Sequence, residues 1–161
     1  MGRQQALFLA VSLLATSLAG CGDAATLTLS DGERRELSDY RGQWLVVNYF
    51  AEWCAPCLRE MPLLNELNEL NELNELNEAE GPAVLAVSFD ALSGPELQSL
   101  KARYQMTMPV AANLEGPWPF ETPRALPTTM VINPRGKLVD SHQGELKAED
   151  LARWQDIYWG D

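Results

Sequence analysis

The sequence predicts a single α/β domain with a mixed central sheet flanked by helices. Three observations carry this expectation. Near-continuous apolar runs at 44–50 and 84–89 have the character of strands buried on both faces. Each is followed by a helical pattern with its own start signal, at Cys54 and at Pro95. The chain then closes with a hairpin and an amphipathic helix. A length of 161 residues and a hydrophobic content of 46% suit one packed core and exclude wholesale disorder.

The first element lies outside that domain. In residues 1–20 the only charged side chain is Arg3, and an apolar or small stretch runs from Ala6 to Ala19. This stretch falls short of the roughly 20 residues that cross a bilayer and fits the core of an export signal. It ends in Leu18-Ala19-Gly20-Cys21, which resembles the bacterial lipobox. The resemblance implies cleavage before Cys21, lipid on its thiol, and a location on the periplasmic side of a membrane. Gly22 rather than Asp at the next position points to the outer membrane. Residues 21–25 are then a lipidated tether, and 26–161 the folded domain.

Within the domain, Thr26-Leu27-Thr28-Leu29 alternates and reads as an edge strand. Ser30-Asp31-Gly32 turns it into a second strand near 33–37, giving an N-terminal β-hairpin. The run 44–50 is the central strand, a helix starts at Cys54, and 84–89 is another buried strand. Residues 95–104 form a helix capped by Ser93 or Gly94, with Pro95 in its first turn. A short strand is expected at 109–112. Strands at 128–133 and 137–142 pair around Asn133-Pro134-Arg135-Gly136, and 147–159 is the closing helix, with Leu151, Trp154 and Tyr158 on its core face.

Residues 64–78 repeat Leu-Asn-Glu five times. A triplet falls short of a helical turn by about 60°, so a leucine stripe drifts around the helix. Leu64, Leu67 and Leu70 can share a core-facing sector, whereas Leu73 and Leu76 turn away from it. A continuous helix from Cys54 to Ala79 would be about 39 Å long. Its distal end is either a solvent-exposed extension or a partner-binding stripe.

Charge narrows the function. Asp and Glu number 23 against 12 Lys and Arg, a net charge of −11, which disfavours nucleic acid and anionic headgroups. One histidine and three cysteines leave little for a metal site, and His142 reads as an ordinary side chain.

The chemistry concentrates in Trp53-Cys54-Ala55-Pro56-Cys57, where a buried strand turns into a helix. Unpaired N–H groups at a helix start stabilise a thiolate on Cys54. Two intervening residues bring Cys57 within reach of a disulfide, and Pro56 stiffens the first turn. Cys54 attacks a substrate disulfide and Cys57 resolves the mixed disulfide. Leu58 stands where haem attachment requires His. A Cu(I)-binding module and a net disulfide oxidase remain the alternatives. No cofactor beyond the Cys54–Cys57 couple is expected.

Three motifs in order give a specific resemblance: residues 46–57, then Arg59-Glu60-Met61-Pro62, then Leu126-Pro127-Thr128-Thr129. Together they resemble the TlpA/ResA-like disulfide reductases of the thioredoxin fold. The resemblance implies a cis-proline at Pro127 whose loop presents backbone groups to a substrate strand. Trp53, Pro56, Leu126, Pro127 and Thr128 form the expected substrate-contacting set. It also implies a reductase of exported proteins, apocytochrome c among them, re-reduced by a membrane donor of DsbD or CcdA type. Asn48 stands where thioredoxin has a buried Asp. The TlpA-like branch commonly has Asn there, and the residue by itself reads as a satisfied core amide. Glu60 is either a helix acid or the proton acceptor for Cys57. Gly116–Pro123 replaces the family's helix before the cis-proline loop. Its Trp118 and Phe120 either pack over the core or form a lip beside the cysteines.

Overall fold

The computed structural model describes residues 25–77 and 81–160. The expected signal segment, Cys21 and the expected tether up to residue 24 lie outside the described residues, as do the side chains of Leu73 and Leu76. The fold is thioredoxin-like. A seven-stranded mixed sheet contains β1 (Thr26–Leu29), β2 (Arg34–Glu36), β3 (Leu45–Phe50), β4 (Ala83–Ser88), β5 (Val110–Glu115), β6 (Thr128–Ile132) and β7 (Leu138–Gln143). Their spatial order is β2-β1-β5-β4-β3-β6-β7. The helices are α1 (Ala55–Arg59), α2 (Met61–Asn77), α3 (Gly94–Arg103) and α4 (Ala148–Trp154), the last continued by a π-turn over Gln155–Trp159. A 3-10 turn, Leu37–Tyr40, follows β2.

β3 is buried at every position and lies between parallel β4 and antiparallel β6. Its alternation divides the core. Val46 and Phe50 face a cluster with Cys54, Cys57, Leu64, Leu97 and Trp154, drawn from α1, α2, α3 and α4. Leu45, Val47 and Tyr49 face a second cluster with Leu27, Leu85 and Met130. The 3-10 turn and the proline-rich segment cover that second face. Trp118 and Phe120 pack edge to face there, 5.4 Å between ring centroids. They are core cover on the sheet face opposite the cysteines, not a lip beside them.

Four local expectations need correction. β1 is not an edge strand: β2 holds the edge, and β1 also pairs with β5, Leu27 opposite Leu114. The long-range pairing extends β5 to Glu115, beyond the expected 109–112. The active-site helix is not continuous either. It breaks at Glu60 (φ −86, ψ −9), because Pro62 has no N–H for the Leu58 carbonyl and its ring crowds that turn. On α2, Leu64 and Leu67 are buried but Leu70 is 50% exposed. The rotation per triplet has already carried Leu70 off the core by the third repeat. Asn68 is buried in its place, and Asn65 binds the Gln105–Thr107 backbone, its Nδ2 donating to the Gln105 carbonyl at 2.8 Å.

The remaining elements follow their local signals. Ser93 caps α3 and its N–H donates to Glu96 at 2.8 Å, a reciprocal cap with Pro95 in the first turn. In the β6–β7 turn, Asn133 Oδ1 accepts from the N–H groups of Arg135 and Lys137, both at 3.0 Å, and Gly136 takes φ +74. Trp154 is fully buried, and its Nε1 donates to Asp140 at 2.9 Å. Leu151 and Tyr158 pack beside it. No helix among the described residues is long and apolar enough to cross a membrane.

Candidate active site: a disulfide at a strand–helix junction

β3 ends at Phe50, and a short turn carries the chain into α1 with Cys54 as its N-cap. Cys54 and Cys57 form a disulfide with Cα atoms 5.3 Å apart. The Cys57 N–H points at Cys54 Sγ, 3.3 Å away. That donor is one of the N–H groups a helix start leaves without a carbonyl partner, so it stabilises negative charge on Cys54 when the bond is reduced. Cys54 keeps 6% exposure while Cys57 is wholly buried, so an incoming sulfur meets Cys54 first. Pro56 occupies the first helical turn, where its missing N–H costs nothing.

The Leu126–Pro127 peptide is cis, as the resemblance implies. Two bonds hold its loop. Thr128 Oγ1 donates to the Ala125 carbonyl at 2.9 Å, and the Gly144 N–H donates to the Pro127 carbonyl at 2.9 Å. Pro127 and Thr128 are buried, and Leu126 is half-buried against both core clusters. Trp53 is 68% exposed, and its Nε1 donates to Asp90 at 3.2 Å, so the indole stands on the surface beside the disulfide in a fixed orientation.

Glu60 is 1% exposed at the α1–α2 break. Its Oε1 accepts from Asn48 Nδ2 at 2.7 Å and its Oε2 accepts from the Leu146 N–H at 2.7 Å. Burial pushes its carboxyl up to about 7, against the opposing pull of those two bonds. Glu60 is therefore a buried titrating group rather than an exposed helix acid. Asn48 donates a second bond, to Thr129 Oγ1 at 2.9 Å. Next to Glu60, Glu145 bridges Arg59 (3.0 Å to Nε) and Lys147 (2.8 Å), which hold its carboxyl down at about 2. His142 lies outside this group, 3.7 Å from Asp150 and edge-on to Trp154.

Thr129 and the Leu146 N–H escaped sequence reasoning as members of the site. The first was legible in principle, since alternation from Val131 places Thr129 on the cysteine-bearing face, in register with Asn48. The second is a main-chain donor in a loop, which no side-chain motif reports. Among the described residues, no group of three or more His, Cys, Asp or Glu is placed to hold a metal ion.

The AhpC/TSA family model matches residues 22–141. The thiol-disulfide oxidoreductase ResA of Geobacillus thermodenitrificans is 33% identical over 147 residues, covering 84% of this chain and 76% of that protein. The thioredoxin-like protein YneN of Bacillus subtilis is 28% identical over 137 residues, with the same coverage of 84% and 76%. Among solved structures, a DsbF homologue from Corynebacterium diphtheriae has a TM-score of 0.64 at 22% identity, covering 83% of this chain and 85% of that one. The pneumococcal exposed lipoprotein thioredoxin of Streptococcus pneumoniae has a TM-score of 0.63 at 23% identity, covering 82% and 97%. At these identities the two structures speak to the fold alone.

Proposed function

The chain belongs to the AhpC/TSA family and, within the thioredoxin superfamily, to its ResA-like thiol-disulfide oxidoreductases; from that premise we propose that it works as a protein-disulfide reductase on the periplasmic side of a bacterial membrane, anchored by lipid on Cys21. The observation that carries the redox part is the pairing of a marginally accessible Cys54 with a fully buried Cys57 at a helix start.

The reduced Cys54 thiolate attacks a substrate disulfide in line. A Cys54–substrate disulfide forms, and one substrate sulfur leaves as thiolate. Glu60, one helical turn beyond Cys57, takes the Cys57 proton. The resulting thiolate attacks Cys54 Sγ, the second substrate sulfur leaves, and the Cys54–Cys57 disulfide forms. Two electrons pass from the dithiol to the substrate. Trp53, Pro56 and the Leu126-Pro127-Thr128 loop receive the substrate chain. A carboxyl that titrates at about 7 changes protonation near neutral pH, which suits it to this transfer.

Return to the dithiol needs two electrons from outside, and a membrane donor of DsbD or CcdA type supplies them. Apocytochrome c is among the exported disulfides such a reductase would serve. The test is insulin-disulfide reduction by the Cys variants. Cys54→Ser abolishes turnover, and Cys57→Ser accumulates a mixed disulfide through Cys54. Full activity in Cys54→Ser, or stoichiometric Cu(I) binding with no disulfide turnover, overturns the assignment. A reduction potential near that of strong oxidants would reverse the direction.

A further inference from the structure

We infer that Thr129 is a positioning residue for this reaction, holding the Asn48 amide so that it donates to Glu60. The inference rests on the reading of Glu60 as the proton acceptor. It begins with an imbalance at Asn48. Both hydrogens of Nδ2 are used, one on Glu60 Oε1 at 2.7 Å and one on Thr129 Oγ1 at 2.9 Å. The Asn48 Oδ1 is buried with no hydrogen-bond partner. Buried amides ordinarily satisfy their carbonyl, so this side chain is arranged as a donor at its own expense.

The topology explains how the arrangement is held. Asn48 on β3 and Thr129 on β6 are directly opposed in the antiparallel register, and both are 0% exposed. With one hydrogen on each acceptor, the amide plane cannot rotate without breaking a bond. Without Thr129 Oγ1, nothing described on that side fixes it. The amide then turns, the bond to Oε1 weakens, and the ionised form of Glu60 loses a donor. The other groups facing Glu60 are the Leu146 N–H, which donates to Oε2, and the charges of Glu145 and Lys147, which oppose one another. Arg59, the residue before it, pairs with Glu145. β3 and β6 contribute only the neutral Asn48 and Thr129 among the bonds to this network, so Thr129 tunes Glu60 without bringing a charge.

The experiment follows the Glu60 carboxyl directly, by 13C NMR of side-chain-labelled Glu in the full folded domain, with Glu60→Gln identifying the resonance. Thr129→Val keeps the shape and removes the acceptor. The Glu60 midpoint is expected to rise by about 0.5–1 pH unit, a three- to tenfold gain in proton affinity. Thr129→Ser, which restores the hydroxyl, is expected to return it to the wild-type value. The rate–pH profile of disulfide reduction moves in parallel. Should Thr129→Val fail to fold, Thr129→Ala provides the same comparison with Thr129→Ser. An unchanged midpoint in a folded variant lacking the hydroxyl overturns the inference, and so does a shift that Ser fails to reverse. If the midpoint moves but Glu60→Gln leaves the rate–pH profile on the wild type, the hold of Thr129 on the Asn48 amide stands, while the acceptor role of Glu60 falls and takes the positioning role in the reaction with it.

Discussion

Replacing Glu60 by Gln removes one buried titration, and its effect on stability can be worked out in advance. The folded chain holds the Glu60 proton up to about 7, against an ordinary value of 4.5. Between those values the native state binds more protons than the unfolded state, so stability falls as pH rises. The contribution is fully favourable below about 4.5, declines by about 1.4 kcal/mol per pH unit across the interval, and levels off above about 7. The total is about 3 kcal/mol, a large fraction of a domain's usual margin. The substituted glutamine cannot follow this course. Its carbonyl can accept from Asn48, but its amide then faces the Leu146 N–H, donor against donor, which costs about 1–3 kcal/mol at every pH. The signature is therefore the difference between the two stability–pH curves rather than either curve alone. Urea unfolding of the oxidised proteins from pH 4 to 9 measures it. Wild type should lose about 3 kcal/mol more than Glu60→Gln over that range, most of it between about 4.5 and 7. Two parallel curves separated by a constant offset would refute a raised Glu60 and with it the proton-acceptor argument.

Two further predictions concern the helix repeat and the anchor. Leu64→Ala is expected to cost about 2–5 kcal/mol in urea unfolding and Leu70→Ala less than about 1, because the triplet drift has carried the second side chain off the core; equal losses would refute that packing. Wild-type chain in cells is expected to sediment with membranes and incorporate palmitate while Cys21→Ala does neither, and an unlipidated wild type would remove the anchor but leave the redox chemistry intact.

What is legible in the sequence is what short range dictates. Cys54 and Cys57 need only their spacing and the strand before them, and Pro127 only its neighbours in the motif. Ser93, Pro95 and Asn133 announce their cap and turn because their side chains bond within a few residues. The place of β1 is hidden because its alternation reports one buried face and not which strands lie beside it. Its second neighbour, β5, is far away in the chain. The break at Glu60 is written in Pro62, whose effect reaches back to Leu58 rather than forward. The exposure of Leu70 is not legible, because a tolerance of two or three triplets depends on where the sheet ends, a tertiary quantity. Glu60 can be suspected from its position, but its burial comes from Asn48, Leu146 and the surrounding packing, which only the assembled fold brings together.

The place of β1 in the sheet has a consequence for how the chain is made. Leu27 pairs with Leu114, 87 positions later, so at about 5–20 residues per second β1 waits about 4–17 s for its inner neighbour to leave the ribosome. Through that interval its available partner among the described strands is β2, and a lone two-stranded ribbon is marginal in water. Leu27 and Leu29, buried in the finished protein, are then uncovered, and the strand edge destined for β5 is open to any other extended chain. The opposite edge is defended from the start: β2 reads Arg34-Arg35-Glu36, three charged side chains that discourage foreign pairing. Nascent chains of this protein are thus vulnerable along one side of one hairpin, and the vulnerability ends when residues 110–115 arrive to close it.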